Sequence, residues 1–427
     1  MSNYRAPFLD AHRVSCYLKI ERRSKSYRVM EVPKLRQVEA LPVEVEGRKM
    51  IGLRDPLGIS PEVLFLSPEA FFIASLMDGK NSLRDIQAAY MRRFGELIFT
   101  ERIEDLIREL DAHYLLETPN FLEHLERLKE EFRHSQVRQA AFAGKSYPAT
   151  KEALQRELAG FFSRVPPQTR GEKLRGLIAP HIDFARGGEC YAHAYRALDA
   201  SGPSSLYVIL GTCHTHMKEP FTLTKKAFET PFGRVETDQE LVEGIARALP
   251  FNPFEDEFLH RQEHTIEFQL IFLQYLWGNS FRILPVLCRS FQEYIQEGKS
   301  PIDDPYFRSF IEAVKEALVG KEAVFLASAD LAHVGPQFGH PYQATPGLMI
   351  EVRNKDMEMI SHVLSGDAEG FFRYIWRERD ERNICGLPPI YSLLLLIEGC
   401  KGQLLEYRGW RDPQGKGAVT FASISLK

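Results

Sequence analysis

The sequence predicts an α/β protein whose large domain contains a mostly parallel sheet flanked by helices. From about residue 172 onward, short apolar segments alternate with amphipathic helices, which is the order that βαβ units produce. A chain of 427 residues is also long enough for two or three domains. Five apolar segments are the predicted strands of the sheet: residues 174–179, 205–210, 281–287, 323–328 and 418–424.

Residues 1–118 form the predicted first domain. Two segments, 43–46 and 50–53, alternate in polarity as strands do around a Glu-Gly turn. Ser67 and Ser82 are suited to cap the first and second of three predicted helices, because a serine hydroxyl accepts a hydrogen bond from an unpaired N–H at a helix start. Three helices followed by a strand predict a small winged helix-turn-helix domain.

The rest of the chain divides into a linker and the α/β domain. The third helix of the first domain is followed by a predicted short strand at residues 113–117. Residues 119–168 are a predicted helical linker, since residues 123–132 carry mixed charges and few apolar side chains. Residues 169–427 are the predicted α/β domain.

The composition excludes several classes of protein. Lys and Arg number 54 against 58 Asp and Glu, and the net charge of -4 argues against a dedicated nucleic-acid binder. No apolar run reaches the roughly 20 residues that span a bilayer, and residues 1–10 lack the apolar core of a signal peptide. The six cysteines include no Cys-x-x-Cys pair, so neither a disulfide scaffold nor a zinc ribbon is expected. We therefore expect a cytoplasmic protein with reduced thiols.

Histidine, cysteine and acidic residues follow several predicted strands. His181 comes after the first strand and His214 after the second. Asp330 and His333 follow the fourth strand, and Cys385 precedes a predicted helix. Because ligands bind beyond the carboxyl ends of strands in open α/β sheets, these side chains are expected to lie close together. Imidazole and thiolate both bind borderline-soft ions, so this edge is a candidate transition-metal site.

The first domain resembles the PqqD-like domains, which recognise peptides in ribosomal peptide modification systems. The resemblance implies that the domain binds an extended peptide at a sheet edge through main-chain hydrogen bonds. A packing or dimerisation module is the alternative, and DNA binding is disfavoured because acidic residues on the second and third helices oppose phosphates. The matching stretches are residues 66–70, 76–80, 82–86 and 110–117.

Residues 172–427 resemble the Memo family, whose bacterial and archaeal members are called AmmeMemoRadiSam system protein B. The resemblance implies a fold similar to the class III extradiol dioxygenases, which use a mononuclear non-haem iron. The matching stretches run in the family's order: residues 179–181, 188–195, 210–214, 230–233, 263–267, 284–287, 328–333 and 383–386.

The resemblance also implies a set of site residues. The family's metal site of two histidines and one cysteine corresponds to His181, His214 and Cys385. An aspartate and a histidine that line the same cavity correspond to Asp330 and His333.

A Glu-His-x-x-Glu segment of the family corresponds to Glu263, His264 and Glu267. His333 or His264 is the expected general acid or base, since a histidine titrates near neutral pH. Asp330 and Glu267 are expected to orient these histidines. For His264, Glu267, Asp330 and His333, a structural hydrogen bond in a polar cleft is the alternative interpretation.

One departure from the best-known member follows His181, where Ile182-Asp-Phe184 stands in place of Ala-Gly-Tyr. Asp183 is therefore a candidate carboxylate ligand or a hydrogen-bond acceptor beside the ligands. Glu263 is a second candidate for a hydrogen-bond acceptor beside the ligands. In the iron dioxygenases a carboxylate completes the ligand triad, whereas here Cys385 takes that place, and thiolate ligation alters redox behaviour. The expected cofactor is iron or copper, with zinc as the alternative.

The sequence leaves three functions open. The first is a metal-dependent redox enzyme that acts with a radical S-adenosylmethionine (SAM) system. The second is a peptide- or protein-binding scaffold without turnover, which uses the cleft and the first domain and has radical SAM and AMMECR-type proteins as candidate partners. The third is a DNA-binding regulator that senses a metal, which the mixed charges of its helices disfavour. No membrane partner is expected.

Overall fold

The computed structural model describes residues 30–427 except residues 46 and 170. Residues 1–10, whose sequence lacks a signal-peptide core, lie outside the described part of the chain. No helix among the described residues combines the length and the apolar character that a membrane span needs.

The chain divides into two compact units between His134 and Ser135. This boundary lies inside the predicted linker, residues 119–168. Residues 119–134 form a helix of the first unit, and the remainder of the predicted linker belongs to the second unit. The segment therefore contributes residues to both units, and the predicted bounds of the linker stay a prediction.

The first unit contains an antiparallel sheet with the strand order β1-β2-β3, followed by helices. Apolar side chains of the sheet and of the first three helices share one core. The described elements of this unit are β1 (Glu39–Val45), β2 (Arg48–Arg54), β3 (Leu64–Leu66), α1 (Pro68–Ser75), α2 (Leu83–Phe94), α3 (Thr100–Ala112) and α4 (Pro119–His134).

Two predicted helix starts are confirmed in the first unit. The Ser67 side chain accepts a hydrogen bond from the N–H of Ala70 in α1. Ahead of α2, Ser82 and Asp85 form a reciprocal capping box, in which each side chain accepts from the main-chain N–H of the other residue.

The strand predicted at residues 113–117 does not form. Tyr114 has a left-handed φ of 57°, which turns the chain after α3. Within the described residues only Leu116 of this segment makes a β-bridge, and its partner is Leu35. The winged helix-turn-helix assignment therefore stays a prediction.

The second unit contains a large sheet with helices on both faces. Its strands are β4 (Val137–Arg138), β5 (Gly176–Ala179), β6 (Leu206–Thr212), β7 (Phe221–Leu223), β8 (Ala227–Thr230), β9 (Gly233–Thr237), β10 (Arg282–Cys288), β11 (Val324–Ser328), β12 (Asp330–Val334), β13 (Gly402–Arg411) and β14 (Ala418–Leu426). Its α-helices are α5 (Lys151–Ser163), α6 (Phe184–Ser201), α7 (Gln239–Ala248), α8 (His264–Trp277), α9 (Gln292–Glu297), α10 (Pro305–Ala317), α11 (Pro346–Ser365), α12 (Ala368–Arg377) and α13 (Leu387–Leu396).

The centre of this sheet is parallel. The strand order is β12-β14-β5-β11-β6-β10-β9-β8-β4. The five neighbours β5, β11, β6, β10 and β9 run parallel to one another. The C-terminal strand β14 lies antiparallel to β5 and pairs antiparallel with β12 and β13. The predicted α/β class with a mostly parallel central sheet is confirmed, although the strand predicted at residues 418–424 runs against the others.

Helices cover both faces of the sheet and bury its central strands. One apolar cluster joins the sheet to α7 and α10–α13, and another joins it to α5, α6 and α8. Every residue of β6 is buried, which explains why its sequence is apolar without alternation.

A buried ion pair joins β4 to α8. The side chains of Arg138 and Glu267 contact each other, and neither has exposed surface. Glu267 also accepts hydrogen bonds from the N–H groups of Ala141 and Phe142 and from the hydroxyl of Tyr147. The carboxylate is thus surrounded by donors, as a buried charge requires.

The guanidinium of Arg138 holds the chain just before α8. It donates hydrogen bonds to the main-chain oxygens of His260 at 2.9 Å and Glu263 at 2.8 Å. Burial lowers the pKa of Arg138 to about 10, so the group is still charged at neutral pH. Glu267, which was predicted to orient the site histidines, instead contacts Arg138 and anchors the start of α8.

Glu267→Ala is expected to destabilise the second unit by about 3–5 kcal/mol, because it leaves the buried charge of Arg138 without its partner. Denaturant unfolding followed by tryptophan fluorescence measures this effect, since all three tryptophans of the chain lie in the second unit. Glu322→Ala is the matched control, because the pair of Glu322 with Lys173 is exposed and such pairs contribute little. Equal shifts in the two variants would show that the buried pair is not an anchor.

Candidate metal centre

Three adjacent parallel strands place the predicted ligands at one edge of the sheet. β5 ends two residues before His181, and β6 ends two residues before His214. β11, which lies between β5 and β6, ends two residues before Asp330. The predicted convergence of these residues at the carboxyl ends of the strands therefore occurs, as the topology of open α/β sheets requires.

The His181 imidazole is buried, and its neighbours determine where its proton lies. Nδ1 is 3.0 Å from the main-chain oxygen of Ser328, and because a carbonyl only accepts, Nδ1 carries the proton. The lone pair of Nε2 then faces Cys385 Sγ at 3.2 Å. Burial, followed by the nearby His214 and His264, holds the pKa of His181 well below its usual range. The ring is therefore neutral, as a metal ligand must be.

Cys385 reaches the same place from the loop between α12 and α13. Gly386 follows it, and a Cβ atom there would lie 2.3 Å from the main-chain oxygen of Asp330, so only glycine allows the loop to pack against β12. The loop also stores backbone strain, because side-chain-bearing residues rarely adopt positive φ. Residues with φ of 56°, 50° and 49° are Arg379, Asp380 and Asn383.

His214 is positioned by Glu263, the residue that caps α8. The buried carboxylate of Glu263 accepts from the main-chain N–H of His214 at 2.9 Å and lies 3.2 Å from its Nδ1. It also accepts from the N–H groups of His264 and Thr265 at the helix start. Although burial alone would raise the pKa of Glu263, His214 and His264 hold it well below its usual range. An ionised Glu263 keeps the proton on Nδ1 of His214, so Nε2 is the nitrogen suited to ligation.

A close packing contact joins the end of β6 to the start of α8. A Cβ atom on Gly211 would lie 2.4 Å from Thr265 Oγ1, so the glycine leaves the space that the Thr265 side chain occupies against the strand. The Thr265 hydroxyl donates to the main-chain oxygen of Thr212 at 3.0 Å. This contact brings Glu263 within hydrogen-bond distance of His214.

Two groups of side chains in the described part of the chain could hold a metal ion. The ligand atoms of His181, His214 and Cys385 all lie within 4.8 Å of one another, and this group is the predicted ligand set. The second group consists of His214, Glu263 and His264, with the same separation. In the second group, the Glu263 carboxylate already contacts the imidazoles of both His214 and His264, so it is less available to a metal ion. The first group is therefore the better candidate for a metal site.

The donor set of the first group fits a transition metal. Two imidazoles and one thiol are the ligands that iron, copper and zinc share. Burial, followed by the charge of Asp330, raises the pKa of the Cys385 thiol well above its usual range. A bound cation has the opposite effect on a thiol, since it stabilises the thiolate.

His264 lies beside the predicted ligands. Its ring stacks on that of His214 with centroids 5.0 Å apart and meets the ring of His181 edge-on at 5.4 Å. Its Nδ1 lies 3.0 Å from Glu263 Oε1. One buried carboxylate therefore holds the imidazoles of both His214 and His264.

Asp330 contacts His181. Its Oδ1 accepts from the main-chain N–H of His181 at 2.9 Å, and its Oδ2 lies 3.7 Å from His181 Nε2. Burial raises the pKa of Asp330 to about 7. The predicted role of Asp330 was to orient an acid–base histidine, and the histidine that it contacts is a predicted ligand.

His333 belongs to neither metal group. Its Nδ1 lies 3.1 Å from the main-chain oxygen of Leu331 and 3.2 Å from that of Asn383. Burial lowers the pKa of His333 to about 4. Its predicted role as a general acid or base stays a prediction.

Two other predicted site residues have partners outside the metal groups. Asp183 caps α6: its Oδ1 accepts from the N–H of Arg186, and its Oδ2 lies 2.5 Å from the Nε of the same arginine. The sequence predicted that this helix begins at residue 189. The cap explains why α6 instead begins directly after Asp183. Glu267 contacts Arg138.

The groups that orient the ligands through main-chain atoms were missed by sequence reasoning. The carbonyl of Ser328 accepts from His181, and the Thr212 hydroxyl donates to the carbonyl of Cys385 at 2.9 Å. Ser328 and Thr212 are the last residues of β11 and β6, and that position is the one signal that could have indicated them. Every residue has a main-chain carbonyl, so the residue type does not indicate which carbonyl accepts a hydrogen bond from a predicted ligand.

A cavity of about 240 Å³ adjoins the first metal group. His214 and Cys385 both border it, so a molecule inside it would lie next to two of the predicted ligands. Its apolar wall is formed by Phe291, Ile384, Leu387 and Pro388.

Comparison with known proteins identifies the family. The model of the Memo-like protein family matches residues 138–424. A MEMO1 family protein of Methanococcoides burtonii is 32% identical over 300 residues, which cover 68% of this chain and 100% of that protein. A MEMO1 family protein of Aquifex aeolicus is 27% identical over 401 residues, 92% of this chain and 99% of that protein. The relative from Thermus thermophilus is 28% identical over 332 residues, 78% of this chain and 94% of that protein.

The family match contains both predicted histidine ligands and the predicted cysteine ligand. It also spans the whole parallel centre of the sheet, from β5 to β11. The alignment with the Aquifex protein is longer than the second unit, so it reaches into the first unit as well. This chain belongs to the Memo-like protein family.

Proposed function

We propose that this protein binds one iron or copper ion through His181, His214 and Cys385 and acts as a metal-dependent oxidoreductase. The observation that carries the proposal is the distance of 3.2 Å between His181 Nε2 and Cys385 Sγ in a buried site. Ser328 and Glu263 support it, because each holds the other nitrogen of a ligating histidine.

The donor set favours a transition metal over magnesium or calcium, which prefer oxygen ligands. Two histidines with one cysteine is a set that also occurs at copper electron-transfer sites, and imidazole suits iron as well. When bound, such an ion would supply one-electron chemistry. Zinc is the alternative ion, and with zinc the same ligands would support a structural or hydrolytic role.

Residues around the ligands have separate proposed tasks. Asp330 holds the main chain at His181, and Glu263 holds the rings of His214 and His264. His264 and His333 are the proposed acid–base residues of the cleft. Since burial lowers the pKa of His333 to about 4, this residue is neutral at pH 7 and is a weaker base than a free imidazole.

A second candidate function is peptide binding by the first unit. In the order β1-β2-β3, the strands β1 and β3 are the edges of the sheet. An edge strand offers unpaired main-chain groups to an extended peptide, and Leu41 of β1 is exposed. We propose that a partner peptide pairs with the edge strand β1. The proposed partners are radical SAM and AMMECR-type proteins. The proposed location of the protein is the cytoplasm.

His181→Ala and Cys385→Ala should each lose most of the bound metal, because each removes one of three ligands. Metal content per chain is measured on protein purified aerobically and anaerobically. Cys400→Ala is the matched control, since Cys400 is a buried cysteine that belongs to neither metal group and should leave the content unchanged. Wild-type metal content in Cys385→Ala would refute the ligand set.

The absorption spectrum of the same samples identifies the class of ion. Protein loaded with iron or copper should show a thiolate charge-transfer band that disappears in Cys385→Ser. A protein that retains only zinc gives no such visible band, because the zinc d shell is filled. That result would reject the proposed oxidoreductase activity, but it would still be consistent with His181, His214 and Cys385 as the metal ligands.

Glu263→Gln should weaken metal affinity by about 10–100-fold, because the partner of a ligating histidine fixes its tautomer and orientation. Competition with a chelator measures the affinity. Asp183→Asn makes the same carboxylate-to-amide change in a residue whose carboxylate contacts Arg186, and it should leave the affinity as in the wild type. If Asp183→Asn has the larger effect, Asp183 is the carboxylate that supports the ligands.

Leu41→Asp should reduce binding of the full chain to its partner, because it places a charge at the exposed edge of the first sheet. Binding is measured by co-purification with purified radical SAM and AMMECR-type proteins of the same organism. Leu122→Asp, at an exposed position of α4, is the control and should bind as the wild type does. No binding by the wild type to either protein would reject these partners.

A further inference from the structure

The cavity beside the proposed metal ligands is bordered by an acidic residue and by apolar side chains. Among the described residues that border it, Asp380 is the carboxylate and none is a lysine or an arginine. Phe291 and Leu387 form part of its apolar wall. The cavity thus combines one negative side chain with apolar surface.

The carboxylate of Asp380 has a main-chain hydrogen-bond partner, and the charge of Arg382 also acts on it. Its Oδ1 accepts from the N–H of Ile384 at 2.7 Å, and within the described residues it forms no ion pair. Arg382, two residues later, is committed elsewhere, because its guanidinium pairs with Asp356 and Glu378. Burial raises the pKa of Asp380 to about 6, so at pH 7 the group is mostly ionised.

The loop that carries Asp380 has a left-handed backbone at three residues that bear side chains. The φ of Asp380, 50°, is left-handed, as are those of Arg379 and Asn383 in the same loop. Strain of this kind persists only where the surrounding structure enforces it, and it is concentrated at ligand-binding sites. The strained backbone and the half-buried charge therefore favour the same interpretation, a binding role for this side chain.

We infer that the cavity binds a small organic ammonium group, whose charge pairs with Asp380 and whose apolar part lies against Phe291 and Leu387. The inference rests on the proposed function, because it names the substrate class for the site formed by His214 and Cys385. A volume of about 240 Å³ admits a small molecule or the end of a longer chain. A free amine and a lysine side chain of a peptide are the two sources of this chemistry.

Isothermal titration of zinc-loaded protein tests the inference, since zinc is redox-inert and prevents oxidation of the probe. The probes are 2-phenylethylamine, which is cationic, 2-phenylethanol, which is neutral, and phenylacetate, which is anionic. The wild type should bind the amine about ten-fold more tightly than the other two, because a hydrogen bond to a charged group contributes roughly that factor. Equal affinities, or no binding of the amine, would overturn the inference.

Asp380→Asn should abolish the preference for the amine. Asp199→Asn, which makes the same change at an exposed position of α6, is the matched control and should retain the preference. If Asp380→Asn does not fold, the probe series on the wild type decides alone. A lysine-containing tetrapeptide separates the sources: tighter binding than the free amine assigns a peptide substrate, and weaker binding assigns a small metabolite.

Metal content, measured on the same samples, separates failure of this inference from failure of the proposed function. Protein that binds metal through His181, His214 and Cys385 but shows no preference for the amine contradicts the inference alone. Protein that binds no metal contradicts the proposed function. The probe series on metal-free protein then still tests Asp380.

Discussion

The parallel pairing of β5, β11 and β6 is the constraint on which the candidate metal centre depends. Because these strands are neighbours and run in the same direction, His181, Asp330 and His214 follow their carboxyl ends at one edge of the sheet. Helices on both faces keep the strands buried. Cys385 comes from a different part of the chain, and the glycine after it allows its loop to meet the same edge.

This arrangement buries the carboxylates of Glu263 and Glu267, and hydrogen bonds from neighbouring groups stabilise both charges. Glu263 has five donor groups around it: two N–H groups at the start of α8, the N–H of His214 and the imidazoles of His214 and His264. Glu267 is neutralised by Arg138, whose guanidinium also binds the main chain before α8. Two acids one helical turn apart thus have different roles. Glu263 faces the candidate ligands, and Glu267 anchors the helix that presents it.

The two units differ in what they offer to a partner. The second unit has a small, partly open cavity next to two of the proposed ligands, and Asp380 is one of the residues that border it. Among the described residues, the first unit has a small sheet whose outer strands are β1 and β3. A metal site with a cavity for an ammonium group and a separate edge for an extended peptide are compatible properties, because they use different surfaces and different chemistry.

Much of the second unit could be predicted from the sequence alone. Apolar runs indicated buried strands, and histidines and an acid after three of them indicated where a site would form, because strand direction and side-chain burial leave local patterns. Resemblance to a family selected Cys385 and the two predicted histidine ligands. The tertiary structure decided which acids serve the site: it placed Glu263 against His214, Asp183 at a helix start and Glu267 against Arg138, a residue 129 positions away. Those outcomes depend on contacts between distant parts of the chain, and carbonyl acceptors such as Ser328 leave no trace in residue type, so no local pattern records them.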